Sequence, residues 1–162
     1  MRILGIDPGL ATTGIGLIEA ESSTAIAHAD WLTITTPPRT PLYERLLEIQ
    51  RDLAAYIDAN QPDLAVVEQL FFATNARTAI DVAQARGVIL ATVAQHAIPI
   101  MEPTPLQMKS CITGDGSADK KQVQDMIVRT LKLTETPQPD DAADALALAL
   151  FGLYQHTFTL VR

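Results

Sequence analysis

The hydrophobic positions of this chain change period several times, and each change marks an element. Residues 2–7 and 13–20 are short apolar stretches that read as two strands, joined by Asp7-Pro8-Gly9. Glu21-Ser22-Ser23 predicts a hairpin turn, and Thr24 to about Thr35 predicts a third strand, giving an antiparallel meander. Pro37, Pro38 and Pro41 interrupt the pattern. Leu42, Leu46, Ile49, Leu53 and Ile57 then recur every three or four residues, the spacing of a helix with one apolar stripe. Thr40 is its expected cap, Pro41 its expected first residue, and Asn60-Gln61-Pro62 its end. The run Leu64–Val67 predicts a buried strand, and a helix between two strands implies a crossover that leaves them parallel.

A second long helix is expected from about Asn75 to His96, with Ala76, Ala79, Ile80, Ala83, Gly87, Leu90 and Ala94 as its inner face. Residues 97–101 predict a fifth strand, placed at an edge by Pro99. Thr104-Pro105 starts a short helix that ends near Gly114, and Ser117 is the expected cap of the next, whose stripe is Val123, Ile127 and Leu131. The last helix begins at Pro139 or Asp140 and runs through Leu153. The expected architecture is α/β, a mixed five-stranded sheet flanked by helices in one domain over 1–162.

Composition narrows the function without naming it. With 48% hydrophobic residues and mean hydropathy +0.14, the chain has the makings of a core and lacks the composition of a disordered one. No window is apolar enough for a bilayer, and the short apolar start contains Asp7, so a cytoplasmic protein is the default expectation. A lone cysteine, Cys111, excludes an internal disulfide and a cysteine-built zinc site. The three histidines are far apart, and there is neither a Walker loop nor a Gly-x-Ser-x-Gly elbow. A net charge of −7 argues against bulk-charge attraction to nucleic acid, but leaves room for local basic patches.

The candidate chemistry is acidic. Asp7 stands where the first strand must stop, because Pro8 cannot continue the ladder. Gly9 is read as leaving room beside the carboxylate for a bulky group. Glu68 ends the strand expected to run parallel to the first, so the two acids share the edge at which such sheets bind ligands. Asp140, Asp141 and Asp144 open the last helix, and Asp144 shares a face with each of the other two. Helix-start charge accounts for one of that pair but not for Asp144, which sits among alanines. Acids brought together repel unless cations hold them, and all-oxygen ligation suits Mg²⁺ or Mn²⁺. Lys120 and Lys121 fall in a first helical turn, where positive charge opposes the helix dipole.

Four segments in order, Gly5-Ile6-Asp7-Pro8-Gly9, Val67-Glu68-Gln69, Gln84-Ala85-Arg86-Gly87 and Asp141-Ala142-Ala143-Asp144-Ala145-Leu146-Ala147, resemble the RuvC family. These are crossover junction endodeoxyribonucleases that resolve Holliday junctions. The resemblance spans essentially the whole chain. It implies a ribonuclease-H-like fold, and a homodimer that places two Mg²⁺-dependent sites symmetrically on a four-way DNA junction, with paired nicks in strands of like polarity. Two such ions per site, Mg²⁺ with Mn²⁺ as a substitute, can activate a water and stabilise the departing oxygen in phosphodiester hydrolysis, and a branch-migration helicase complex is a candidate partner that the sequence itself does not identify. Asp7, Glu68, Asp141 and Asp144 match the family's catalytic, metal-binding acids. Phe71 matches an aromatic that stacks on a base, and Lys109 and Lys120 match positions of DNA contact. Lys121 is grouped with them. Asp140 departs from the pattern, which has a single acid three residues before the last. The alanine-rich face and the family spacing favour Asp141 as ligand and leave Asp140 as a helix-start acid. The apolar surface of the Asn75–His96 helix is the expected dimer interface.

Three other readings compete. An actin-like or sugar-kinase-type ATPase also opens with an Asp-Gly phosphate loop, but needs two such domains. A junction-binding module without catalysis would have little use for a full set of costly acids. A nuclease of the same fold acting on RNA differs in substrate alone.

Overall fold

The structure, a computed structural model, describes residues 1–70 and 76–160. Strands β1 (Arg2–Asp7), β2 (Thr12–Ser22) and β3 (Ala25–Thr35) form the antiparallel meander. Helix α1 (Leu42–Asn60) crosses to β4 (Leu64–Val67), which pairs parallel to β1 with Ile6 beside Val67. Helix α2 (Ala76–Gln95) leads to β5 (Ile100–Met101), and α3 (Pro105–Thr113), α4 (Lys120–Leu131) and α5 (Asp140–Leu160) follow. The sheet order is β3-β2-β1-β4-β5, with β5 at an edge.

Side chains alternate along a strand, so the sheet sorts its residues onto two faces. Leu4, Ile6, Ile15, Leu17, Ala65 and Val67 pack with α1 and α2. Ile3, Ile18, Leu64 and Val66 pack with α3, α4 and α5. This alternation decides where the acids go: Asp7 continues the series Ile3, Gly5, and Glu68 continues Leu64, Val66. Both therefore leave the sheet on the α5 side.

Helix α5 reaches that face because the sheet is bare there. A Cβ on Gly5 would lie 1.9 Å from the Ala145 carbonyl oxygen, one on Gly14 would lie 2.0 Å from the Asp141 oxygen, and one on Gly16 would lie 2.6 Å from the Leu146 nitrogen. Glycine at these three positions, against a helix of alanines, lets backbone approach backbone. Every residue from Ala145 to Leu150 is buried as a result.

Several expected boundaries move. Ser23-Thr24, rather than Glu21 to Ser23, makes the β2–β3 turn. Thr40 does not cap α1: Pro41 is the N-cap, with no side-chain hydrogen bond, and the first apolar residue, Leu42, is exposed. The Thr40 amide instead bonds to the Pro37 carbonyl in the preceding turn. Ser117 does not cap α4; its amide and hydroxyl donate to Asp115, and Asp119 caps through a reciprocal box with Gln122. Thr104, by contrast, caps α3 as expected, with Pro105 behind it. The fifth strand shrinks to two residues.

The larger correction concerns α2. Its inner face is Ala85, Ile89, Thr92 and Val93, whereas Ile80, Gly87 and Ala94 are exposed and Ala83 and Leu90 are half-buried. The helix carries apolar or small residues nearly all round, so periodicity alone does not select the side that meets α1 and the sheet.

Candidate active site

Parallel pairing of β1 with β4 sets Asp7 and Glu68 on neighbouring strand ends. The Glu68 amide donates to the Ile6 carbonyl at 3.3 Å, extending the ladder to the acid itself. Arg86 of α2 holds the same residue from the other side, donating from Nε to the Glu68 carbonyl at 2.8 Å while its guanidinium also meets Glu102. The third and fourth acids arrive with α5. Gly14, opposite Asp7 in the β1–β2 ladder, is the residue against which Asp141 packs. One glycine thus brings the start of α5 beside the end of β1.

The electrostatics record the convergence. The Asp7 carboxyl is pushed up to about 8, first by burial, then by the charges of Glu68, Asp144 and Asp141. Burial and the Asp144 charge push Glu68 up to about 7, opposed by Lys109. Asp144 is raised by burial, against the pull of Lys120. Asp140 behaves differently. It is exposed, its carboxyl is held below the usual range by a hydrogen bond from Lys120, and it does not enter the field at Asp7.

Lys120 is the counter-charge of the cluster. Its Nζ lies 3.0 Å from Asp144 Oδ2 and 3.2 Å from Asp140 Oδ2, which explains why a lysine is tolerated at the first position of α4. Lys121 is exposed and pairs along its own helix with Asp125 at 2.9 Å. Lys109 is half-buried within electrostatic reach of Glu68. Phe71 lies outside the described residues. Gly9 does not provide the expected space: a Cβ there would sit 2.1 Å from the Thr12 oxygen, so it serves the chain's own return.

The donor set matches a hard divalent cation in type, since all four side chains are carboxylates and their mutual repulsion asks for positive charge. The cage is open, however. Among the described residues no three His, Cys, Asp or Glu close around a point that would hold a metal ion. Repelling carboxylates spread apart, and Lys120 engages Asp144 in their midst.

Two contributors escaped the reading of the sequence. The glycine seat of α5 was announced by Gly14-x-Gly16 in one strand and Gly5 in its neighbour, since glycine inside a strand signals close approach. Arg86 was noticed only as part of a motif, with no role derived for it.

Comparison with known proteins decides the family. The model of the RuvC family, crossover junction endodeoxyribonuclease RuvC, matches residues 3–152. This chain belongs to that family. A crossover junction endodeoxyribonuclease RuvC from Syntrophomonas wolfei is 48% identical over 156 residues, covering 96% of this chain and 90% of that protein. The Thermus thermophilus RuvC structure superposes with a TM-score of 0.87 at 32% identity, covering 98% of each chain. Thermus thermophilus RuvC in complex with Holliday junction substrate gives 0.87 at 31% identity, covering 98% of this chain and 97% of that one. The fold is the ribonuclease-H-like fold of this family, and the chain is a hydrolase of the crossover junction endodeoxyribonuclease class. No helix among the described residues is long and apolar enough to cross a membrane.

Proposed function

We propose that this chain resolves four-way DNA junctions at the site formed by Asp7, Glu68, Asp141 and Asp144, with divalent cations bound between them. The observation that carries this is the convergence of Asp7 and Glu68, at the neighbouring ends of β1 and β4, with the start of α5, whose Asp141 packs on Gly14 opposite Asp7. Two Mg²⁺ ions, or Mn²⁺ in their place, would supply an activated water and stabilisation of the departing oxygen in phosphodiester hydrolysis. The protein's part is to fix the acids. β1 and β4 position Asp7 and Glu68, the glycine seat positions Asp141 and Asp144, and Arg86 anchors the backbone at Glu68. Lys109 and Lys120 put positive charge beside the acids, where a phosphate backbone must approach despite the net charge of −7. Phe71, three residues after Glu68, is proposed as the base-stacking aromatic on the family pattern alone, and Lys121 as a peripheral phosphate contact.

A junction cut symmetrically needs two sites, and a two-fold dimer supplies them. The outward face of α2 is the proposed interface. Ile80, Ala83, Gly87, Leu90 and Ala94 follow a three-four spacing, and Ile80 is 66% exposed. A cytoplasmic location and a branch-migration helicase as partner accompany this reading.

The test is a synthetic mobile four-way junction incubated with the protein and Mg²⁺, with both product strands mapped. Paired nicks in strands of like polarity are expected. Asp7→Asn should lower the cleavage rate by about 100-fold or more, with junction binding retained. Near-normal nicking by Asp7→Asn would remove the acid cluster from the chemistry.

A further inference from the structure

A groove of about 320 Å³ runs from Asp141 past Gly9, Leu10, Ala11 and Thr12 to Arg45 of α1, with Asp81 and Val82 of α2 on its other wall. It adjoins the acid cluster at Asp141, and neither Lys109 nor Lys120 is among its lining residues. The loop along its floor is held in an unusual way. Its three successive carbonyls are all taken by the protein: Gly9 by the Thr13 hydroxyl at 2.7 Å, Leu10 by the Thr36 hydroxyl at 2.6 Å, and Ala11 by the Thr36 amide at 3.0 Å. The amides of Gly9, Leu10 and Ala11 donate to no other described residue. Backbone with its acceptors satisfied and its donors spare has those donors left to offer an anion.

Arg45 completes it. The buried Thr36 hydroxyl accepts from Arg45 Nε at 2.8 Å, which fixes the guanidinium at the groove and leaves its terminal nitrogens without a described partner. A planar guanidinium presenting two amino groups beside spare amides matches the oxygens of a phosphate. Asp81 and Asp141 also line the groove and repel an anion, so the seat lies at the Arg45 end, away from both carboxylates. We propose that this groove is a phosphate seat, in which Arg45 and the 9–11 amides hold a DNA backbone phosphate beside the one cut at the acid cluster. The seat rests on the reading of the chain as a junction nuclease, and would fix the register of the cut strand with a contact separate from those of the lysines.

The test measures junction binding across a salt series, with Ca²⁺ replacing Mg²⁺ to suppress turnover, for the wild type, Arg45→Gln, Arg45→Lys and Thr36→Val, each first checked for folding by thermal melting. Arg45→Gln should weaken binding roughly tenfold and reduce the slope of log affinity against log salt by about 0.9, the signature of one lost phosphate contact. Arg45→Lys keeps the charge and should keep the slope. Thr36→Val breaks the Arg45–Thr36–Leu10 relay but leaves the charge, so its slope should also stay. An unchanged slope in Arg45→Gln, or an equal loss of slope in Thr36→Val, would make Arg45 a staple for the loop and overturn the seat while leaving junction cleavage intact as a function. A wild type that neither binds nor nicks the junction would overturn the nuclease reading itself, and the seat with it.

Discussion

Helix α5 buries every residue from Ala145 to Leu150, whereas α2 leaves Ile80, Gly87 and Ala94 in solvent on a face that is just as apolar. Both helices are rich in alanine. The difference lies in what stands opposite. α5 meets Gly5, Gly14 and Gly16, so its backbone reaches the sheet, and α3 and α4 close over its remaining sides. α2 seats only its Ala85–Val93 side against α1 and the sheet. Small residues let two surfaces approach; they do not say which surface approaches. On α5 the approach brings Asp141 and Asp144 toward the strand ends, so the packing and the proposed chemistry are one arrangement. On α2 an apolar face stays exposed among the described residues.

The comparison breaks most visibly at the glycine seat. Gly5→Ala and Gly14→Ala each place a Cβ within 2.0 Å of a helix carbonyl oxygen, and backbone cannot yield as a flexible side chain does. Each variant should lose about 3 kcal/mol or more of stability in urea unfolding, at the upper end of overpacking costs. Gly14→Ala should also depress junction cleavage beyond its effect on stability, since the helix must shift at Asp141. A loss under about 1 kcal/mol in both variants would mean that α5 does not need bare backbone beneath it.

The acids at the start of α5 sharpen the same point. Asp141 packs on Gly14 and contributes to the field at Asp7, whereas Asp140 is exposed and pairs with Lys120 and Gln124. Asp141→Asn should therefore slow single-turnover cleavage by about 100-fold or more. Asp140→Asn should stay within about fivefold, because an exposed ion pair contributes little and Asn keeps the hydrogen bond to Gln124. The reverse ranking would mean that the helix presents Asp140 to the cluster.

The order of elements and the convergence of acids were legible in the sequence for definite reasons. Strand runs and helix periods are separated by Pro and Gly, and the parallel crossover puts Asp7 and Glu68 at one edge. The spacing of Asp141 and Asp144 on an alanine face did the rest. What failed were choices among near-equivalent residues. Residue type alone points to Thr40 and Ser117 as caps, although Asp119 with Gln122 three residues on carries the full capping-box pattern. The expected inner stripe of α2 turns mostly outward and only Leu90 of it packs against the core, because Ile80, Ala83 and Ala94 are as apolar as Ala85, Ile89 and Val93. Only the sheet and α1, distant in sequence, choose between them. Lys120 looked misplaced at a helix start because its partners lie on α5.

The buried charge on the α5 side also predicts a pH dependence that the α2 side lacks. Asp7 and Glu68 sit at about 8 and about 7 in the folded chain, against ordinary values of 3.8 and 4.5. A raised carboxyl keeps its proton in the folded state where the unfolded chain has released it. Ionising these groups therefore costs stability, and the cost grows as pH climbs from about 4 to about 8. Without divalent cations the melting temperature should fall over that interval, and Asp7→Asn should flatten the fall. The proposed Mg²⁺ would compete with those protons, so its stabilising shift should be larger at pH 8.5 than at pH 5.5. A Mg²⁺ shift that is equal at both values would separate the raised carboxyls from cation binding.

The smallest effect is the most pointed, because a single methyl on α2 should have opposite consequences for the monomer and the dimer. Beyond its own helix backbone, a Cβ on Gly87 meets nothing within 4 Å among the described residues. Gly87→Ala should therefore stabilise the helix by about 1 kcal/mol, the ordinary gain for removing a glycine from a helix interior. If two copies of α2 cross along Ile80, Ala83, Gly87, Leu90 and Ala94, that glycine lies mid-seam, where small residues permit close approach. The added methyl would then overpack the contact, at a cost of about 1–3 kcal/mol in association. Urea unfolding at concentrations where the chain is monomeric should show the gain. Sedimentation should show a raised dissociation constant, and paired nicking should give way to single nicks as the protein is diluted. Gly87→Ala that stabilises the monomer and leaves the dimer untouched would place the interface elsewhere. Ile80→Glu, which puts a charge on the same exposed stripe, supplies the companion measurement: it should dissociate the dimer while leaving the monomer's fold in place.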